Sequence, residues 1–83
     1  MEISNLTKLN QLPKGTTAII TSLTANGLMR RRLMDLGFTE GAKVTVIRKS
    51  PLGDPTAYRI RGAVIALRKE EAALIEVQSN NLE

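Results

Sequence analysis

Polar and apolar residues alternate from Lys43 to Lys49, with Val44 and Val46 on one side and Lys43 and Thr45 on the other. That two-residue period predicts a strand. Thr16–Leu23 is rich in Thr and Ile and reads the same way, as do Ala57–Arg61, with Tyr58 and Ile60 on one side, Ala63–Arg68 and Leu74–Val77. The stretch from Leu28 to Gly41 follows a different period. Met29, Leu33 and Leu36 fall at i, i+4 and i+7 and share one helix face. Gly37 then stands at C′, where a residue without Cβ takes positive φ freely. Phe38 at C″ and Leu33 at C3 form the apolar pair of a Schellman cap. The helix is expected over about 27–36, with Asn26 or Thr24 as its N-cap.

Between these elements lie turn signals. Lys14-Gly15, Thr39-Glu40-Gly41 and Gly62 each allow a reversal, and Ser50-Pro51-Leu52-Gly53-Asp54-Pro55 carries two prolines and a glycine within one loop. Lys69–Ala72 reads as a polar turn or a single helical turn. Near the start, Thr7 is placed to cap a short helical turn that carries Leu9 and Leu12 inward and stops at Pro13. The expected fold is mainly β, a small closed barrel of about five strands with one inserted helix. Connections this short do not allow the crossovers of a parallel sheet.

Eighty-three residues make one domain, 1–83, with 78–83 expected as a disordered tail and Leu82-Glu83 as a cloning remnant. The chain has no cysteine and no histidine, one Tyr, one Phe and no Trp. Disulfides, thiolate or imidazole metal sites and the usual general base are therefore absent. No apolar run approaches the roughly 18 residues that span a bilayer, and the first residues lack a signal-peptide pattern. A cytoplasmic protein is the expectation. The net charge of +4 comes from clusters, Arg30-Arg31-Arg32, Arg48-Lys49, Arg59 with Arg61, and Arg68-Lys69, which suit an acidic partner of some kind.

The run Arg32-Leu33, Leu36-Gly37-Phe38, Gly41, Val44, the Pro51–Pro55 loop and Ala66-Leu67-Arg68 resembles the FeoA domain. The likeness extends from about Leu9 to Val77. It implies an SH3-like β-barrel and an accessory role in bacterial ferrous iron transport, acting on the FeoB transporter and its cytoplasmic GTP-binding part. It also carries a family-level association with transition metal ions. The same fold occurs as the C-terminal domain of metal-dependent repressors. No DNA-binding segment precedes it in this sequence, so the transporter is the expected partner, and the membrane is reached only through it.

The residues offer little chemistry of their own. Glu70-Glu71 are adjacent, and neighbouring positions do not face each other on a helix or a strand. No Walker lysine or G-x-G-x-x-G motif is present. No catalytic residue, cofactor or metal site is expected. Met29 and Met34 lie about 140° apart on the helix and cannot share a ligand. Met1, Glu40, Asp54 and Glu76 form no pattern. The three arginines read as a solvated face, with Arg31 pairing Asp35, or as a patch for an acidic protein, or as a nucleic-acid contact. They spread over about 200°, so all three cannot face one surface, and Arg32 is expected to serve structure. RNA or DNA binding is the alternative function, and it is short of aromatic rings for stacking. Self-association through an open strand edge is a third reading. The expected partner surface combines Leu28 and Arg31 of the helix with Leu52 and Asp54 of the proline loop. Leu33, Leu36, Gly37, Phe38, Gly41 and Gly62 are expected to be structural.

Overall fold

The computed structural model describes residues 6–79. Its strands are β1 (Leu6–Lys8), β2 (Thr17–Leu23), β3 (Lys43–Lys49), β4 (Thr56–Ile60), β5 (Ala63–Leu67) and β6 (Ile75–Ser79), all paired antiparallel in the order β1-β6-β2-β3-β4-β5. Helix α1 (Gly27–Asp35) joins β2 to β3, and the short α2 (Lys69–Ala72) joins β5 to β6. A single 3-10 turn, Leu9–Gln11, follows β1.

The alternation in the sequence sets the inner face. Ala18 and Ile20 of β2, Val44 and Val46 of β3, Tyr58 and Ile60 of β4, and Ile75 and Val77 of β6 are all buried in one apolar cluster. Leu9, Leu12, Leu33, Phe38, Leu67 and Ala72 fill the same cluster. One core shared by every strand but the outermost β1 requires the sheet to coil. Two bulges supply curvature. Thr21 is extra between Ile20 and Ser22, and Ile47 is extra between Val46 and Arg48. The first bulge also shifts the phase of β2, so that Leu23 points inward again.

Two expectations are corrected here. The described residues form six strands where about five were expected. β1 is three residues long with no inward alternation, so nothing in its own pattern marks it, and it forms by pairing Leu6–Lys8 with β6. The ladder is not closed, because β1 and β5 remain its two edges. β6 runs through Gln78 and Ser79, where a tail was expected to begin. Residues 80–83, with the proposed cloning remnant, lie outside the described residues, as does Met1.

The end of α1 forms as its sequence indicates. The Phe38 N–H donates to the Leu33 carbonyl at 2.9 Å and the Gly37 N–H to Met34 at 3.0 Å, the paired bonds of a Schellman motif. Gly37 has φ +108, and a Cβ there would stand 3.5 Å from Ile60 and Arg61 side-chain atoms. Leu33 and Phe38 are both fully buried. The other end is looser. Asn26 occupies the N-cap position but makes no side-chain cap bond, and Thr24 instead donates to the Leu74 carbonyl at 3.1 Å. Thr7 does not cap the 3-10 turn either; its hydroxyl bonds Gln11.

The β4–β5 connection is a two-residue hairpin. Arg61 and Gly62 both have positive φ, 49° and 82°, the signature of a type I′ turn. A Gly62→Ala chain is expected to lose about 1 kcal/mol from backbone strain alone, because a Cβ at that position meets open space. Urea denaturation measures it, and an unchanged midpoint would contradict the strain.

Candidate partner-binding surface

The three consecutive arginines of α1 take three separate directions. Arg30 Nη1 donates to the Leu23 carbonyl at 3.3 Å and anchors the helix to the end of β2. Arg32 pairs with Glu71 of α2. Arg31 is exposed and makes no hydrogen bond or ion pair among the described residues, so the expected Arg31–Asp35 pair does not form. The structural part expected of Arg32 is therefore carried by a link between the two helices.

Glu71 is the centre of that link. One carboxylate oxygen accepts the Arg68 N–H at 2.9 Å and caps α2, and the other meets Arg32. The Arg68 backbone bond is the main cause that holds the Glu71 carboxyl below its ordinary pKa; burial opposes it, and the hydrogen bond and charge of Arg32 add to the lowering.

The proline loop closes on itself. The Gly53 N–H donates to Ser50 at 2.8 Å and the Ser50 N–H to Pro55 at 3.0 Å. Leu52 stands at its tip, 93% exposed, and does not fold back on the core. Asp54 is half-buried and accepts the Lys69 N–H of α2 at 2.8 Å. Of the four expected partner residues, Leu28 (86% exposed) and Arg31 thus lie on α1, and Leu52 and Asp54 on the loop. No hydrogen bond or ion pair joins the two groups. α2 connects them, bonded to α1 through Arg32–Glu71 and to the loop through Asp54–Lys69.

The outer side of α1 also carries Met34, 42% exposed, beside an open depression of about 380 Å³ lined by Gly27, Arg30, Arg31, Met34 and Asp35. Met34 was not among the expected contacts. Its signal in the sequence is its place three residues after Arg31 and off the Met29–Leu33–Leu36 stripe. That stripe faces inward, with Leu33 buried and Met29 and Leu36 packed against the core.

Both aromatic rings of the chain are consumed by packing. Phe38 and Tyr58 are buried, 6.5 Å apart and perpendicular, and burial raises the Tyr58 phenol above its ordinary pKa. No ring is left on the surface for base stacking. Among the described residues no three His, Cys, Asp or Glu side chains converge as metal ligands, and no helix is long and apolar enough to cross a membrane. Gly41 contributes backbone, its N–H reaching the Ile20 carbonyl at 2.8 Å at the start of β3.

A family model described as the FeoA domain matches residues 7–79. The FeoA protein of Chlorobium tepidum, a solved structure, is 43% identical and superposes with a TM-score of 0.84, covering 90% of this chain and 71% of that one. The FeoA of Stenotrophomonas maltophilia, solved with zinc and described as an SH3 domain protein, is 35% identical with a TM-score of 0.76 over 86% of this chain and 88% of that one. A third relative is the Fe(2+) transport protein A/Fe(2+) transporter FeoB fusion protein of Porphyromonas gingivalis, 39% identical over 71 residues. The match takes in 86% of this chain but spans only 8% of that much longer protein. A domain model that runs from β1 to the end of β6, together with this level of identity to a solved FeoA, establishes that the chain belongs to the FeoA family.

Proposed function

We propose that the chain is a non-enzymatic accessory protein of ferrous iron uptake. It docks on the cytoplasmic GTP-binding part of an FeoB-type transporter and biases its state. The observation that carries this reading is the fused relative, in which a segment like this one shares a chain with an FeoB transporter. Covalent fusion gives two parts a high effective concentration and suits a pair that touch. The exposed outer side of α1 and the exposed tip of the proline loop suit a docking role. Any nucleotide chemistry then belongs to the partner, and the adaptor acts through different affinities for its two states.

The surface proposed for this contact is the outer side of α1, Leu28 and Arg31 with Met34, extended by Leu52. Asp54 serves it by fixing the loop to α2. A Leu52→Ala chain is expected to melt within about 0.5 kcal/mol of the parent, since Leu52 touches no core residue, while its affinity for the transporter falls. A large loss of stability would place Leu52 in the core instead.

The test is a calorimetric titration against the cytoplasmic part of an FeoB-type transporter, with and without guanine nucleotide, and with random-sequence RNA as control. Binding that changes with nucleotide supports the adaptor. Binding to RNA alone, falling steeply with salt, would replace it with the nucleic-acid reading.

A further inference from the structure

The exposed edge at β5 is unusual in its charge and its lack of protection. Between Glu40 and Glu70 the chain holds seven basic residues and one acid, Asp54. Arg61 precedes β5, with its guanidinium donating to the Gly37 carbonyl and the Thr39 hydroxyl, and Arg68 and Lys69 follow it; Arg59 lies on the neighbouring β4, and Lys43, Arg48 and Lys49 lie one strand further in, on β3. Asp54 is spoken for by the Lys69 N–H. β5 itself, Ala-Val-Ile-Ala-Leu, has no charge, no proline and no bulge, the devices that usually blunt an edge strand.

The hairpin fixes which backbone groups are free. Residues of an antiparallel pair alternate between exchanging both hydrogen bonds and exchanging none. A two-residue turn makes its flanking pair, Ile60 and Ala63, a bonded one. Along the register, Tyr58–Ile65 and Thr56–Leu67 are then bonded, and Arg59–Val64 and Ala57–Ala66 are not. The N–H and C=O groups of Val64 and Ala66 therefore point away from β4, on the side where the sheet has no further strand among the described residues. Their side chains are exposed as well, Val64 by 59%.

A second copy of β5 fits this edge poorly. Two-fold pairing centred on Ile65 would set Arg61 against Lys69 of the other copy, and Arg68 beside its Gly62, at both ends of the contact. Like charges opposed across strands destabilise the pairing. The same basic residues favour a strand whose ends are acidic.

We propose that the β5 edge binds an extended peptide segment by strand addition, with an uncharged β-branched centre over Val64–Ala66 and acidic residues at both ends. Main-chain bonds to Val64 and Ala66 supply affinity, and the flanking arginines and lysine select the charge. The site uses no residue of α1 or of the Leu52 loop. Its failure would leave the transporter reading standing, and failure of that reading would leave this site standing.

The probe is a synthetic peptide, Val-Thr-Val-Thr-Val between Asp-Glu pairs, compared with the same centre between Lys-Arg pairs. Amide hydrogen exchange of the full chain is followed by NMR at saturating peptide. The expected result is slowing by at least about tenfold at Val64 and Ala66 but not at Ile65, whose amide already bonds β4. The acidic peptide should bind at least about tenfold tighter than the basic one and weaken with salt. Ala66→Pro removes an outward donor without cutting the β4 ladder, and is expected to abolish binding while the chain stays folded. If that variant does not fold, the alternation of protection in the parent chain decides. Equal binding of both peptides, no binding of either, or protection elsewhere would overturn the proposal. So would a doubling of mass without peptide, which would give the edge to a second copy, or the same protection by random RNA.

Discussion

A Phe38→Ala chain is expected to lose roughly half of its folding stability. Phe38 is fully buried: its ring meets Tyr58 edge to face, and its N–H closes the α1 cap on Leu33. Truncating a buried phenylalanine costs about 3–5 kcal/mol, through lost transfer energy and the cavity left behind. A domain of this length holds roughly 4–12 kcal/mol in all. The core has no other phenylalanine and no tryptophan to close over the gap. Phe38→Leu keeps the apolar contact with Leu33 and loses the aromatic pair, worth about 0.5–1.5 kcal/mol beyond area, so it should remain folded. Urea denaturation of both variants is the measurement. A loss below about 1 kcal/mol for the alanine variant would show that Phe38 closes the helix without supporting the core.

The same residue shows what could be read from the sequence. Leu33, Gly37 and Phe38 are close in the chain and their geometry is local, so a helix end with a definite cap was legible. Val44 with Val46 and Tyr58 with Ile60 declared their faces through a two-residue period. β1 declared nothing, because three residues carry no period and its bonds are all to β6, far along the chain. The openness of the ladder was equally hidden, since closure depends on where the edges β1 and β5 lie relative to each other and not on any one strand. The bonds of Asp54 and Glu71 were hidden for a related reason. Their partners, the Lys69 and Arg68 backbone and Arg32, come together only through α2, a helix too short to signal itself beyond a polar turn. The exposed members of the candidate surface were easier to pick. Leu28 and Leu52 are apolar residues with no periodic reason for their positions, and both stand in solvent.

α2 thus does more than join β5 to β6. It fixes the proline loop through Asp54, holds α1 through Arg32, and seats Ala72 in the core. The proposed docking surface spans α1 and the loop, so its two halves keep their relation only while α2 is formed. Lost capping at α2 should therefore weaken transporter binding even where no contact residue has changed.

Glu71→Ala is expected to lower the melting temperature at neutral pH by roughly 10 °C, the effect of about 1.5–2 kcal/mol in a domain of this size. About 1 kcal/mol is the cap on the Arg68 N–H, and the remainder is the exposed pair with Arg32. Glu71→Gln separates the two, because an amide oxygen still accepts the N–H but carries no charge. The folded-state pKa of Glu71 is lowered, so its ionised form stabilises the fold above the unfolded pKa. That contribution is lost as pH falls through the folded pKa. The parent should therefore lose stability below about pH 4.5 more steeply than the glutamine variant, and the two should converge in strong acid. Because the backbone bond is the larger cause, salt at about 0.5 M, which screens the Arg32 pair, should remove only the smaller part of the difference between parent and Glu71→Ala. Complete loss of that difference in salt would assign the stabilisation to the ion pair and leave α2 capped by its backbone alone.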